Sequence, residues 1–186
     1  MPDWSYRTLF RPVLFRVDPV RARELTVGAF AVLARMPLGT RFIELLGHAY
    51  GRHDLSRRIA GIQVAAPVGL GAGIDLDGRA ADAWARIGFG FIEVGPVDER
   101  ASRGVIGRDD RDESLTYIEG PSISADAVAR RLRGRPRAVP VGARLADGEP
   151  AALARAVGTL DAAVDYFVVA DAGAVGRLRV LTRHPV

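Results

Sequence analysis

The sequence predicts an α/β protein in which an N-terminal helical, membrane-associating segment precedes a partial, parallel β/α domain. Three observations predict this. Apolar residues recur at helical spacing through residues 1–58. From Ile59 onward, short apolar runs that end in glycine alternate with helical stretches. The chain has 186 residues, whereas a closed sheet of eight β/α units takes about 250.

In the helical segment, Tyr6, Leu9, Phe10, Val13, Leu14 and Val17 form one apolar stripe, with Arg7, Arg11 and Arg16 outside it. Asp18-Pro19 reads as a stop and a new start, with Asp18 as N-cap and Pro19 at the first helical position. The second helix carries Leu25, Val27, Phe30, Val32, Leu33 and Met36, and is apolar nearly all round between Thr26 and Ala34. Met36 to Gly39 is a turn, and a third helix covers Arg41 to Tyr50. Ten arginines face five carboxylates in residues 1–58. Aromatic and aliphatic faces flanked by arginine suit an anionic membrane surface, and a hairpin packed on its own domain fits the same pattern.

In residues 59–186 the expected strands are Ile62 to Val64, Pro67 to Leu70, Phe89 to Val94, Val139 to Ala143 and Tyr166 to Ala170. Helices are expected over Asp77 to Ile87, Ser124 to Arg133 and Pro150 to Thr159, with Pro96 to Leu115 as a long polar loop. Four β/α units make half of a TIM-barrel-like domain. A half-barrel leaves two open edges and one uncovered apolar face. The expected partner surface runs along the last strand and tail, through Tyr166, Val168 and Val180.

Composition excludes several chemistries. Cysteine is absent, so disulfides, thiolate metal sites and cysteine nucleophiles are closed. All 26 basic residues are arginine, which rules out a lysine base or imine. His48, His53 and His184 show no metal-ligand spacing, and no metal site is expected. The arginine run from Arg130 to Arg137 lacks interleaved aromatics and closes a helix, so no nucleic-acid partner is expected. No run reaches the roughly 18 apolar residues of a transmembrane helix, nor is there a signal peptide pattern. A peripheral location on the cytoplasmic side of the plasma membrane is expected.

Two stretches carry a family resemblance. Phe15-Arg16-Val17-Asp18-Pro19 through Thr26 is similar to the N-terminal extension of class 2, quinone-dependent dihydroorotate dehydrogenases. Gly61-Ile62-Gln63 through Gly69-Leu70-Gly71-Ala72-Gly73-Ile74-Asp75, continued by Gly88 to Gly95, resembles the first two barrel strands of those enzymes. The match is collinear over nearly the whole chain and resembles their N-terminal half. It implies an FMN-containing (β/α)₈ barrel whose N-terminal helices sit on the membrane and admit quinone.

Carried over residue by residue, the resemblance also implies losses. The lysine that follows the first-strand aspartate is Leu76 here, and the flavin-contacting threonine after the second strand is Pro96. The substrate-binding run aligns with Thr116 to Ser122. The asparagines of the third and fourth strands become Arg144 and Ala170. The segment of the catalytic base is Ala172 to Gly176, and the later strands have no counterpart. A quinone-site histidine becomes Arg23, while a quinone-site arginine falls at Gly107, beside Arg108. An apolar lining for a membrane or quinone-like pocket persists in Trp4, Tyr6, Phe10, Leu14, Phe15 and Phe30.

These losses give the expectation of a non-catalytic relative: no catalytic residues, FMN absent, and Gly71, Ala72 and Gly73 as a vestige of the flavin loop. The expected role is an accessory or structural subunit of a membrane complex, respiratory or other, or a binder of quinone or lipid. The alternative is a divergent flavin-dependent dihydroorotate dehydrogenase completed by another chain.

Overall fold

A computed structural model describes residues 7–8, 11–47, 55–109, 114–134 and 137–186. Helix α1 (Arg11–Leu14) is one turn. Asp18 then caps α2 (Pro19–Leu33) as its sequence requires, with Oδ1 accepting from the amides of Val20 and Arg21, each at 3.1 Å. Helix α3 (Pro37–Gly47) starts four residues earlier than the pattern suggested, because Pro37 is accepted in a first turn. Its partly buried and buried positions centre on Ile43, which is fully buried, whereas Leu38, Phe42 and Leu45 share the opposite, exposed stripe.

Strands β1 (Arg57–Ile59) and β2 (Ile62–Val64) form an antiparallel hairpin, with Ala60 and Gly61 at positive φ in its turn. Residues 68–70 follow as a strand held by main-chain bonds. The amide of Gly90 donates to Val68, that of Leu70 to Phe91 and that of Glu93 to Leu70, at 2.8–3.0 Å. Helix α4 (Ala81–Ile87) leads to β3 (Ile92–Val97), and the expected polar loop 96–115 instead holds most of an antiparallel ribbon, β4 (Val105–Asp109) with β5 (Ser114–Glu119). Then come α5 (Ala125–Leu132), β6 (Val141–Leu145), α6 (Pro150–Leu160), β7 (Tyr166–Val168) and α7 (Ala172–Leu178).

Strands 68–70, β3, β6 and β7 lie side by side in chain order, all parallel. This is the arrangement expected of four successive β/α units. Alternation assigns the two faces. Ile92, Val94, Val141, Ala143, Leu145 and Phe167 point to the helices and are buried. Each of the larger ones, Ala143 aside, contributes roughly 1.5–3 kcal/mol by leaving water. Phe91, Glu93, Arg144, Tyr166 and Val168 point to the other, inner face and are half-buried or exposed.

Val27, Ala31 and Ile43 of the helical hairpin share one core cluster with Leu70, Ala83, Trp84 and Ile92 of the β/α part. Phe30 packs against this cluster, half-buried, with its ring 5.0 Å from that of Trp84. At the far side of the sheet the amide of Phe167 points away from β6 and donates to the carbonyl of Pro185 at 2.9 Å. The tail thus meets the β7 edge itself, and Ala172 to Gly176, aligned with the segment of the catalytic base, is helical behind the N-cap Asp171.

Candidate active site

Parallel strands of β/α units present their carboxyl ends to one side, where loops assemble a site. Here the ends of β3, β6 and β7 open on a cleft of about 780 Å³. Three cations line it: Arg100 and Arg103 from the loop after β3, and Arg144 from β6. Asp98 and Asp147 supply carboxylates, and Ser122 a hydroxyl. Among the described residues no hydrogen bond or ion pair engages the Arg144 side chain. It stands exposed between the buried Ala143 and Leu145. Ser122 is committed to the loop, accepting from the Ser102 amide at 3.0 Å and donating to the Arg100 carbonyl at 2.9 Å.

Below Arg144 the inner face is aromatic. The Tyr166 ring covers Gly142 and meets Phe91 edge-on at 6.4 Å, and its hydroxyl donates to the Ile92 carbonyl at 3.4 Å. Burial, then the charges of Glu93 and Asp165, push the Tyr166 phenol up from its usual range, so it stays a neutral donor. Tyr166 and Val168 are thus half-buried on the inner face, while Val180 is 83% exposed.

The glycine turn follows strand 68–70. The Gly73 amide donates to Gly95 at 2.8 Å and the Gly95 amide to Leu76 at 3.0 Å, so the turn is pinned to the end of β3. A Cβ added at Gly71 or Gly73 would meet nothing within 4 Å, and Gly73 has φ +102°. This open backbone fits the close approach of a planar ring such as FMN. Leu76 and Pro96 add no polar contact to it, and Pro96 follows a cis peptide bond. Ala170 lines the main cleft. Of the substrate-run alignment, Gly120, Pro121 and Ser122 reach the cleft, whereas Thr116 pairs with Gly107 in the β4–β5 ribbon.

Directly behind the turn lies a buried acid. Asp75 is fully buried, and its carboxylate accepts from the amides of Arg79 (3.0 Å) and Ala80 (2.9 Å) and from the indole of Trp84 (3.1 Å). Desolvation raises its pKa above the ordinary carboxylate value, with the charge of Asp77 adding to it and the three donors opposing. Burial also acts on Asp77, but the Arg79 hydrogen bond at 2.8 Å and the charges of Arg79 and Arg131 outweigh it and hold that carboxyl low.

Of the pocket residues read from the sequence, Arg23 reaches the turn, its Nη1 donating to the Gly73 carbonyl at 3.4 Å. Phe15 is half-buried beneath the guanidinium of Arg11, 5.0 Å from its ring centroid. Trp4, Tyr6 and Phe10, with His48 and His53, lie outside the described residues, as does the side chain of Leu14. Sequence reading passed over the cations Arg100 and Arg103 and the Asp75–Trp84 pair, and took Arg144 only as a lost asparagine.

The parallel half-sheet with a cleft at its strand ends defines the class, a partial parallel β/α fold. No family model matches the chain. The dihydroorotate dehydrogenase (quinone) of Acidithiobacillus ferrooxidans is 37% identical, covering 86% of this chain and 45% of that protein. That of Synechococcus elongatus is 36% identical, covering 88% and 50%. Among solved structures, ligand-free DHODH of Eimeria tenella superposes with a TM-score of 0.51 at 24% identity, over 71% of this chain and 44% of that one, which speaks for the fold. The chain is a relative of the quinone-dependent dihydroorotate dehydrogenases and spans about half the length of the curated relatives it matches.

Two expectations are corrected by this. The chain was expected to be non-catalytic, but its relatives carry the name of an enzyme. The expected absence of FMN falls with it, since those relatives are of the flavin-containing family. The physical reason is that the changed side chains leave the glycine turn, the strand ends and a polar, cationic cleft in place. No helix among the described residues is long and apolar enough to cross a membrane.

Proposed function

We propose that this chain forms the opening half of a dihydroorotate dehydrogenase-type flavoenzyme, its inner face closed by further β/α units carried on additional polypeptide. The observation that supports this best is Arg144, unpaired among the described residues, at the mouth of the cleft on which the ends of β3, β6 and β7 open. A dihydroorotate-like substrate is a carboxylate, and a guanidinium binds a carboxylate in a two-pronged fashion. Arg144, with Arg100 and Arg103, holds and orients that anion. The Gly71–Gly73 turn, held in place by Arg23 and Gly95, would hold the flavin. Bound FMN supplies the hydride acceptor for the oxidation. Phe91 and Tyr166 keep water from the inner face.

The exposed stripe Leu38, Phe42 and Leu45, flanked by Arg41, supports a peripheral placement of the hairpin on a membrane surface. The test is to purify the protein with whatever chain co-purifies from native membranes. Flavin absorption and dihydroorotate-dependent dye reduction are expected, with KM raised at least tenfold in Arg144→Ala. A colourless assembly with no dihydroorotate-dependent reduction would overturn the reading.

A further inference from the structure

A second cluster of cations lies between the end of α2 and the last turn of α5. Arg35, Arg130 and Arg131 line a cleft of about 630 Å³ together with Ala127 and Asp77. Ala127, Arg130 and Arg131 are spaced i, i+3, i+4 on α5 and so face the same way. Arg35 comes from a different element, just past the end of α2, its amide bonded to the Val32 carbonyl at 3.0 Å. The one carboxylate in the cleft is already committed: one oxygen of Asp77 takes Arg79 at 2.8 Å, the other Arg131 at 3.2 Å. Among the described residues Arg35 and Arg130 have no ion pair or side-chain hydrogen bond. Two free guanidiniums and a third held in place thus converge on one space.

We propose that this cleft binds a phosphate group, with Arg35 and Arg130 as its ligands and Arg131, oriented by Asp77, as the fixed third cation. Guanidinium forks match phosphate oxygens in geometry as well as charge. The flank of the cleft favours a lipid headgroup over free phosphate. Val32, Met36 and Leu38, within three residues of Arg35 in the chain, are 56%, 51% and 77% exposed and offer the apolar surface on which an acyl chain would lie. The competing explanation is that the arginines only offset the carbonyl ends of two helices. That role needs no ligand and predicts a loss of stability, not of binding, on substitution. The proposal does not depend on the catalytic reading above.

The test has two arms on the full chain. In the first, inorganic phosphate is titrated into ¹⁵N-labelled protein, and the amides of Ala127 and Arg130 are expected to shift in a saturable way while those of Gly173 and Gly176 stay still. In the second, co-sedimentation with phosphatidylcholine vesicles is compared with vesicles that also contain phosphatidic acid. Arg35→Gln/Arg130→Gln should weaken binding to the anionic vesicles about twenty-five-fold, from about fivefold per arginine. The charge-matched Arg179→Gln/Arg183→Gln, both exposed in the tail, should bind as the parent does. Shifts with phosphate but equal sedimentation with both vesicles assign the site to free phosphate. Unmoved amides, with the two double variants sedimenting alike, overturn the proposal. The first arm uses the unaltered chain, so a folding defect in a variant leaves the decision intact.

Discussion

The indole nitrogen of Trp84 donates to Oδ2 of Asp75 at 3.1 Å, and the same oxygen accepts from the amide of Ala80 at 2.9 Å. One carboxylate thereby starts helix α4 and fixes the ring against which Phe30 packs. Asp75→Asn turns one acceptor into a donor that faces N–H groups, and should cost about 2–3 kcal/mol. Trp84→Phe removes one donor and should cost about 1–2 kcal/mol. Urea unfolding measures both. Equal stability of Asp75→Asn and the parent would show that the carboxylate is not holding the helix start.

Asp77 gives a pH dependence. Its folded pKa lies below the ordinary 3.8, so it contributes stability that is present above 3.8 and is lost as pH falls through the folded value. Asp75, raised, works the other way: stability declines as pH rises from 3.8 toward its folded value. The gap in urea midpoint between parent and Asp77→Asn should therefore narrow as pH falls from about 7 to about 3. A constant gap would mean that Arg79 and Arg131 do not hold the carboxyl in its charged form.

Two glycines should respond in opposite directions. Gly28 sits within α2 with nothing within 4 Å of an added Cβ, so Gly28→Ala should stabilise by about 0.5–1 kcal/mol. At Gly90 a Cβ would run into the backbone of Ala66, which cannot rotate away, so Gly90→Ala should destabilise by about 2–3 kcal/mol. Thermal melts of the two variants suffice, and a shift of the same sign in both would contradict this packing.

Leu38 and Phe42 are exposed on one stripe of α3. Leu38→Ser and Phe42→Ser should leave the melting temperature nearly unchanged, while each weakens vesicle binding by about 1 kcal/mol or more. If vesicle binding is untouched, the stripe is not the membrane-facing surface.

The parallel strands were legible because Val68-Gly69-Leu70, Ile92-Glu93-Val94 and Tyr166-Phe167-Val168 are short apolar runs bounded by helical stretches. Their limits slipped by two or three residues at β3 and β6, where proline and glycine flank the apolar run and only pairing decides which residues join the ladder. The β1–β2 hairpin was half missed because Arg57, Arg58 and Ile59 are all exposed and carry no alternation. The cleft was less legible still. Arg144 looks like a defect in an aligned position, and only the geometry shows it as a free cation. Asp75 and Trp84 are nine positions apart, and nothing in their spacing announces that they meet.

The core cluster that joins Val27, Ala31 and Ile43 to Leu70, Trp84 and Ile92 makes the helical hairpin and the start of the sheet one cooperative unit. Their amide hydrogens should exchange through a single opening event, so that Val27 in α2 and Ile92 in β3 report the same protection. The hairpin should therefore unfold together with the sheet it packs on. A push at its outer stripe is borne by the same side chains that seat the glycine turn.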